Sequence, residues 1–173
     1  MANSLPPKGL TGRLRVRAED DDDLAVLSAC LQDGLVAVRD IAYLPAERRL
    51  VLIVNRYRWE AAEAGQLADG TGDARGERVI CALAMDGVQR VRQQGIDRGK
   101  PGQFLSILQL RRVVGAGAPG PADPPAVEIV FAGQAAIRVT LDRFQVRAED
   151  VEEPYPTAWR PKHKLDDPAP GTS

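Results

Sequence analysis

The amino-acid sequence predicts an α+β protein: a mostly antiparallel, strongly bent sheet or partly closed barrel of about eight strands, with one packed helix. Three observations predict this fold class. Apolar segments of strand length recur along the chain, turn-forming residues separate several of them, and one segment, 23–33, has the apolar spacing of an amphipathic helix. At 173 residues the chain can bury one core. We therefore expect a flexible tail over 1–11, a single domain over 12–160 and a second flexible tail over 161–173.

The first elements are a strand and the helix. Residues 14–18 alternate apolar and basic side chains, which is typical of a half-buried strand whose arginines face water. An acidic run over 19–23 then precedes the helix, which carries Leu24, Leu27 and Leu31 on one face and ends before Gly34. We expect one aspartate of the run to cap this helix. The alternative is a divalent-cation site.

The segment 40–60 predicts the hairpin around which the sheet is organised. Two apolar arms flank residues 45–49, where Pro45 presets the backbone for a turn and the charged side chains favour water. The second arm, 50–54, is apolar at every position, which indicates a strand covered on both faces. Its continuation over 55–59 is polar and aromatic, so we expect it at an exposed rim.

Further strands follow with turn signals between them. Residues 78–85 and 88–92 flank Asp86 and Gly87 and predict a second hairpin, and 104–114 predicts another strand. In the last hairpin, we expect a three-residue loop over 133–135 and a polar outer face containing Glu128 and Arg138. The expected inner pairs are Val127 with Leu141, Ile129 with Val139 and Phe131 with Ile137.

Charge and cysteine content limit the classes of function. The chain has 23 Lys and Arg against 24 Asp and Glu, so no overall field attracts nucleic acid or anionic membrane. Cys30 and Cys81 have no metal or redox spacing, and with one histidine they cannot supply a zinc site. No signal-peptide core or membrane-spanning run is present. We expect a cytoplasmic protein with no membrane span, metal or cofactor.

Three segments carry side chains that could bind a ligand. Arg56 and Trp59 end the central hairpin and suit anion recognition by bidentate bonding and stacking, although an ordinary strand rim explains them as well. Asp97 and Arg98 lie between glycines, where a local salt bridge or Asx turn is the plainer interpretation. His163 ends the segment 159–163, whose Trp159 would anchor the tail in the plainer interpretation. The candidate ligand-binding residues are Arg56, Trp59, Asp97, Arg98 and His163.

Several pieces in a fixed order resemble one known bacterial family. They are Asp33, residues 39–59, the GIDR of 95–98, the FAG of 131–133 and the WRPKH of 159–163. Over about residues 14–163 the chain resembles the domain-of-unknown-function 2948 family. The resemblance implies a small cytoplasmic protein with no assigned activity. The chain departs from the family pattern at Gly34 and at Gln134 and Ala135, and the second departure argues against a glycine loop that cradles phosphate.

The residues favour a binding function over catalysis. Serines are few, no G-x-S-x-G motif occurs and the single histidine lies near the end of the chain. We therefore predict a non-catalytic binding or protein-interaction module whose partner is an unknown protein or a small anionic ligand. One alternative is general acid/base catalysis on a small anionic substrate, with Asp97 as base, Arg56 or Arg98 as clamp and His163 as acid. The other is RNA binding through strand arginines and Trp59, although nucleic acid is the less expected partner.

Overall fold

The computed structural model describes residues 12–63, 76–114, 123–158 and 161. Within these ranges the strands are β1 Arg15–Ala18, β2 Leu35–Ala37, β3 Ile41–Leu44, β4 Arg49–Tyr57, β5 Gly76–Asp86, β6 Val88–Gln94, β7 Phe104–Val113, β8 Ala126–Phe131, β9 Ala136–Leu141, β10 Val146–Asp150 and β11 Tyr155–Thr157. The helices are α1 Asp21–Leu31 and α2 Trp59–Glu63. Three single 3-10 turns cover Val38–Asp40, Pro45–Glu47 and Ala132–Gln134.

All strand pairs in the described residues are antiparallel and join into one open sheet. The order is β1-β10-β5-β4-β2-β7-β8-β9-β6, with β3 beside β4 and β11 beside β5. One apolar core contains side chains from both ends of this order, so the sheet is strongly curved. The predicted α+β class is confirmed, with eleven described strands instead of about eight. The three-residue strands β2 and β11 are too short to show a periodic pattern in the sequence.

The acidic run caps α1, as predicted. The side chain of Asp20 accepts a hydrogen bond from the backbone N–H of Asp23 at 2.8 Å, and the three following aspartates form the first turn. The helix therefore begins at Asp21, two residues earlier than the apolar spacing indicated. Leu24, Leu27 and Leu31 are buried, and the helix packs against β1, β4 and β7.

The central hairpin is confirmed as β3 and β4 joined by the turn Pro45–Glu47, with Arg48 in the left-handed region at φ 51°. Coverage of β4 is less complete than predicted. Leu50, Leu52 and Val54 are fully buried, whereas the alternating positions between them are only half-buried. One face of β4 therefore lies in the core and the other lies partly open to solvent.

The predicted hairpin between residues 78–85 and 88–92 is wrong. β5 pairs with β4 and β10, whereas β6 pairs with β9. Gly87, at φ 70°, turns the chain away from β5, and the Val88 N–H donates to the carbonyl of Arg48 at 2.9 Å. Both sides of β5 are already occupied, so the Asp86-Gly87 turn connects the two halves of the sheet.

The last hairpin forms with the predicted faces but a different register. Ile129 lies opposite Ile137, and the Phe131 N–H donates to the carbonyl of Ala135 at 2.8 Å. The loop is therefore 132–134, with Gly133 in the left-handed region at φ 74°. The predicted pairs are wrong by two residues, and an even shift leaves every side chain on its predicted face.

The chain ends bear on the expected tails and domain limits. Residues 1–11 and 162–173, for which we expect flexible tails, lie outside the described residues, and the domain limits remain a prediction. Pro161, the first residue of the second expected tail, is buried. Among the described helices, none combines the length and the apolar character needed to cross a bilayer.

Candidate functional site

Arg56 lies inside the protein, so the expectation that it faces an exposed rim is wrong. Its guanidinium donates to both oxygens of Asp150 at 2.8 and 2.7 Å and to both oxygens of Glu60 at 2.7 and 3.1 Å. The exposed fraction of the side chain is 0% for Arg56, 1% for Asp150 and 2% for Glu60. Asp150 also accepts from the backbone N–H of Leu14 at 2.8 Å. This charge network joins β4, α2, β10 and the segment before β1.

Burial and hydrogen bonding shift the pKa values of Arg56 and of the two cysteines. Burial alone would lower the pKa of Arg56, but its bonds to Asp150 and Glu60 outweigh burial and raise that pKa above the usual value. Burial raises the pKa of the Cys30 thiol to about 11 and that of Cys81 to about 12. Both cysteines are free thiols in the core. They are therefore protonated at neutral pH and poor nucleophiles.

Trp59 is also an internal structural residue. It is 8% exposed, its indole N–H donates to the carbonyl of Gln32 at 3.1 Å, and its ring lies 4.6 Å from that of Tyr57 between centroids. Arg58 extends the charge network by ion-pairing with Glu77. The aromatic and arginine residues of 55–59 thus hold α2 and the end of α1 against the sheet.

Asp97 and Arg98 form the local contacts that the plainer interpretation anticipated. The Asp97 carboxylate accepts from the Gly99 N–H at 2.8 Å, which is an Asx-type turn, and lies 3.8 Å from the Lys100 ammonium. The Arg98 guanidinium donates to the Gln93 side chain at 3.1 Å and to the carbonyl of Ile41 at 3.2 Å. Arg98 therefore fastens the loop between β6 and β7 to the start of β3.

The predicted site residues do not form one described site. Arg56 and Trp59 share the interior at the end of β4, whereas Asp97 is exposed and engaged in its own turn. His163 lies outside the described residues. No group of three or more His, Cys, Asp or Glu side chains within the described ranges is arranged to hold a metal ion.

A different cluster, missed as a site in the sequence, lies on the outer surface of β6, β9, β8 and β7. We call Arg90, Arg92, Arg111 and Arg138 the arginine face. Arg92 is opposite Arg138, Arg138 is opposite Glu128, and Glu128 is opposite Arg111, so these side chains cross four strands in one row. Arg90 occupies the neighbouring row, opposite Thr140. All four arginines are exposed.

Positive charge exceeds negative charge on this surface. Arg111 and Arg138 each place one nitrogen 3.3 Å from the same oxygen of Glu128, whose side chain is 12% exposed. Across the described ranges, Arg90 and Arg92 have no carboxylate partner. Four arginines and one glutamate give this surface a formal charge of +3. Beside Glu128 lies a concavity of about 220 Å³, lined by Arg92, Gln93, Gln94, Glu128, Ala136 and Arg138.

These features define a small α+β protein with an open antiparallel sheet, a buried charge network and an exposed basic surface. A family model described as "Protein of unknown function (DUF2948)" matches residues 14–163. The chain belongs to this family, as its sequence resemblance indicated. Neither the curated proteins nor the solved structures contain a match to the chain.

Proposed function

We propose that the protein is a non-catalytic binding module that takes a small anionic ligand on the arginine face. The observation that carries the proposal is the placement of Arg92 and Arg138 opposite each other at one concavity. Guanidinium groups on adjacent strands can bond the oxygens of one oxyanion from two directions. The contacts of Arg111 and Arg138 with one oxygen of Glu128 show how such a pair converges on an acceptor.

The concavity favours a compact ligand. Its volume of about 220 Å³ is smaller than the roughly 300–1,000 Å³ of most pockets for drug-sized molecules. Glu128 repels a second negative group placed directly on it, so the anion is expected on the β6 side, between Arg92 and Arg138. Because the concavity is open to water, we expect modest affinity that falls as salt is added.

The two other functions considered have less support. General acid/base catalysis would use Arg56 or Arg98 as a clamp. The hydrogen bonds of Arg56 go to two buried carboxylates, and those of Arg98 go to the Gln93 side chain and the carbonyl of Ile41. RNA binding would need an exposed stacking platform such as Trp59, which is buried. Within the described residues, the outward positions of β6, β8 and β9 carry no aromatic side chain. The exposed Phe104 begins β7 and lies opposite Ala37 of β2, away from the row that contains Arg111.

We also propose that the protein acts in the cytoplasm. Cys30 and Cys81 are the two cysteines of the chain, and both are free thiols. Unpaired cysteines are typical of proteins that work in a reducing compartment. Fractionation of the native host, with an antibody against this chain, would test the proposal, and recovery from an oxidising compartment would contradict it.

The binding proposal is tested with inorganic pyrophosphate as the probe, followed by amide NMR titration at low salt. Arg92→Gln and Arg138→Gln are each expected to weaken binding roughly five- to tenfold, because each removes one charge-assisted contact open to water. Arg15→Gln is the matched control, since Arg15 is 84% exposed on β1 at the other end of the sheet. Unchanged affinity in both test variants, or equal weakening in the control, would overturn the proposal.

A further inference from the structure

The strand β6 ends the sheet and exposes one of its edges. It pairs with β9 on one side, and no described strand pairs with its other side. Val88 donates its N–H to the carbonyl of Arg48, which brackets one end of this edge. Arg98 bonds the side chain of Gln93 near the other end. Between these two points the edge is open to solvent apart from the half-buried Val91.

The hydrogen bonds show which backbone groups face the open side. Leu141 donates its N–H to the carbonyl of Pro125 at 2.8 Å, on the side of β9 that faces away from β6. Val88 and Leu141 are therefore not a hydrogen-bonded pair. Hydrogen-bonded and non-bonded pairs alternate along antiparallel strands. The pairs of Arg90 with Thr140 and Arg92 with Arg138 therefore bond β6 to β9. Consequently, Val91 and Gln93 direct their N–H and C=O groups towards solvent.

The side chains beside these open groups are basic. Arg90 and Arg92 project from alternate positions on the outer face and lack a carboxylate partner within the described ranges. A strand added along β6 would place its own alternate residues directly beside them. Acidic side chains at those positions would pair with both arginines.

We propose that the β6 edge is a docking site for an extended acidic segment of a partner protein, which adds to the sheet as a further strand. Main-chain bonds to Val91 and Gln93 give the segment its position, and Arg90 and Arg92 select carboxylates at alternate positions. A second copy of the chain fits less well. Antiparallel pairing of β6 with itself about Val91 sets arginine opposite arginine, which is destabilising.

Hydrogen exchange of the isolated full-length chain gives the first test. The amides of Val91 and Gln93 are expected to exchange at least tenfold faster than that of Arg92, which bonds to β9. Equal protection of all three amides would mean that the edge is already covered, and would overturn the proposal. Protection that appears only as the protein is concentrated would instead assign the edge to self-association and overturn it as well.

The second test uses a synthetic peptide with blocked ends and alternating glutamate and valine, and the same peptide with lysine in place of glutamate. Binding of the glutamate peptide is expected to protect Val91 and Gln93, whereas the lysine peptide leaves their exchange unchanged. Gln93→Pro removes one open N–H without removing a bond to β9, and should weaken peptide binding at least tenfold. Gln93→Ala keeps this N–H while losing the side-chain contact with Arg98, and should bind within twofold of the wild type.

A replacement variant and a pyrophosphate measurement complete the peptide test. If Gln93→Pro does not fold, the double variant Arg90→Gln with Arg92→Gln replaces it and is expected to weaken glutamate-peptide binding at least fivefold. Wild-type affinity in whichever test variant folds would overturn the proposal. Pyrophosphate binding by folded Val91→Pro separates the two proposals, because this variant removes the other open N–H of the edge and Val91 does not line the concavity. We expect Val91→Pro to retain pyrophosphate binding and to lose peptide binding, and loss of both would contradict a separate edge site.

Discussion

Replacement of Arg56 by methionine should destabilise the protein strongly. The change leaves Asp150, whose side chain is 1% exposed, without its cation. Among the described residues, Glu60, whose side chain is 2% exposed, keeps only the contact with Arg58 at 3.8 Å. Removal of one partner from a buried ion pair costs about 3–5 kcal/mol. For a chain of this length, where 1 kcal/mol shifts Tm by about 2–4 °C, the expected fall in Tm is roughly 6–20 °C.

The pH dependence of this loss identifies its cause. In Arg56→Met the folded protein gains stability by protonating a buried carboxylate, whereas the unfolded chain keeps its carboxylates solvated. The folded variant then binds more protons than its unfolded state, so its free energy of unfolding rises as pH falls from 7 to 5. The destabilisation relative to wild type should therefore be smaller at pH 5 than at pH 7.

Urea unfolding followed by far-UV circular dichroism at both pH values measures these free energies. Arg15→Met is the matched control, because Arg15 is 84% exposed and lies 3.8 Å from Glu149. The control should change stability by less than about 0.5 kcal/mol. A loss below about 1 kcal/mol in Arg56→Met at pH 7, or a loss that does not shrink at pH 5, would refute the reasoning.

Two further predictions follow from protonation. Burial raises the pKa of Cys30 to about 11 and of Cys81 to about 12, so neither thiol should react with an aromatic disulfide at pH 8 until denaturant is added; immediate reaction in the native state would contradict this. Partial burial raises the pKa of Asp86, but the contacts with Arg49 and Arg147 outweigh burial and lower this pKa below its usual value. The stability that Asp86 contributes is present above its unfolded pKa of about 3.9 and lost at lower pH. Asp86→Asn should therefore show a shallower acid decline in urea titrations, and an unchanged decline would count against it.

Local patterns predicted the elements of the fold better than the pairing between them. The Asp20 cap and the Pro45–Glu47 turn are set by residues adjacent in sequence, and both formed as expected. The pairing of β6 with β9 joins segments about 46 residues apart, as between Arg92 and Arg138. The strong turn signal at Gly87 instead favoured a hairpin between β5 and β6. A turn specifies that the chain changes direction, but it does not specify which strand the next segment pairs with.

Arg56 and the arginine face lie on opposite kinds of strand face, one buried and the other exposed, and the sequence contains this difference. Arg56 continues the series Leu50, Leu52 and Val54, so it belongs to the face of β4 that is buried throughout. The apolar residues between these positions concealed the alternation, because 50–54 has the composition of a strand covered on both sides. Arg138, by contrast, lies between Ile137 and Val139, and its outward direction was predicted. Its position opposite Arg92 depends on the long-range strand pairing, so the sequence could predict an exposed arginine but not the surface that these arginines form.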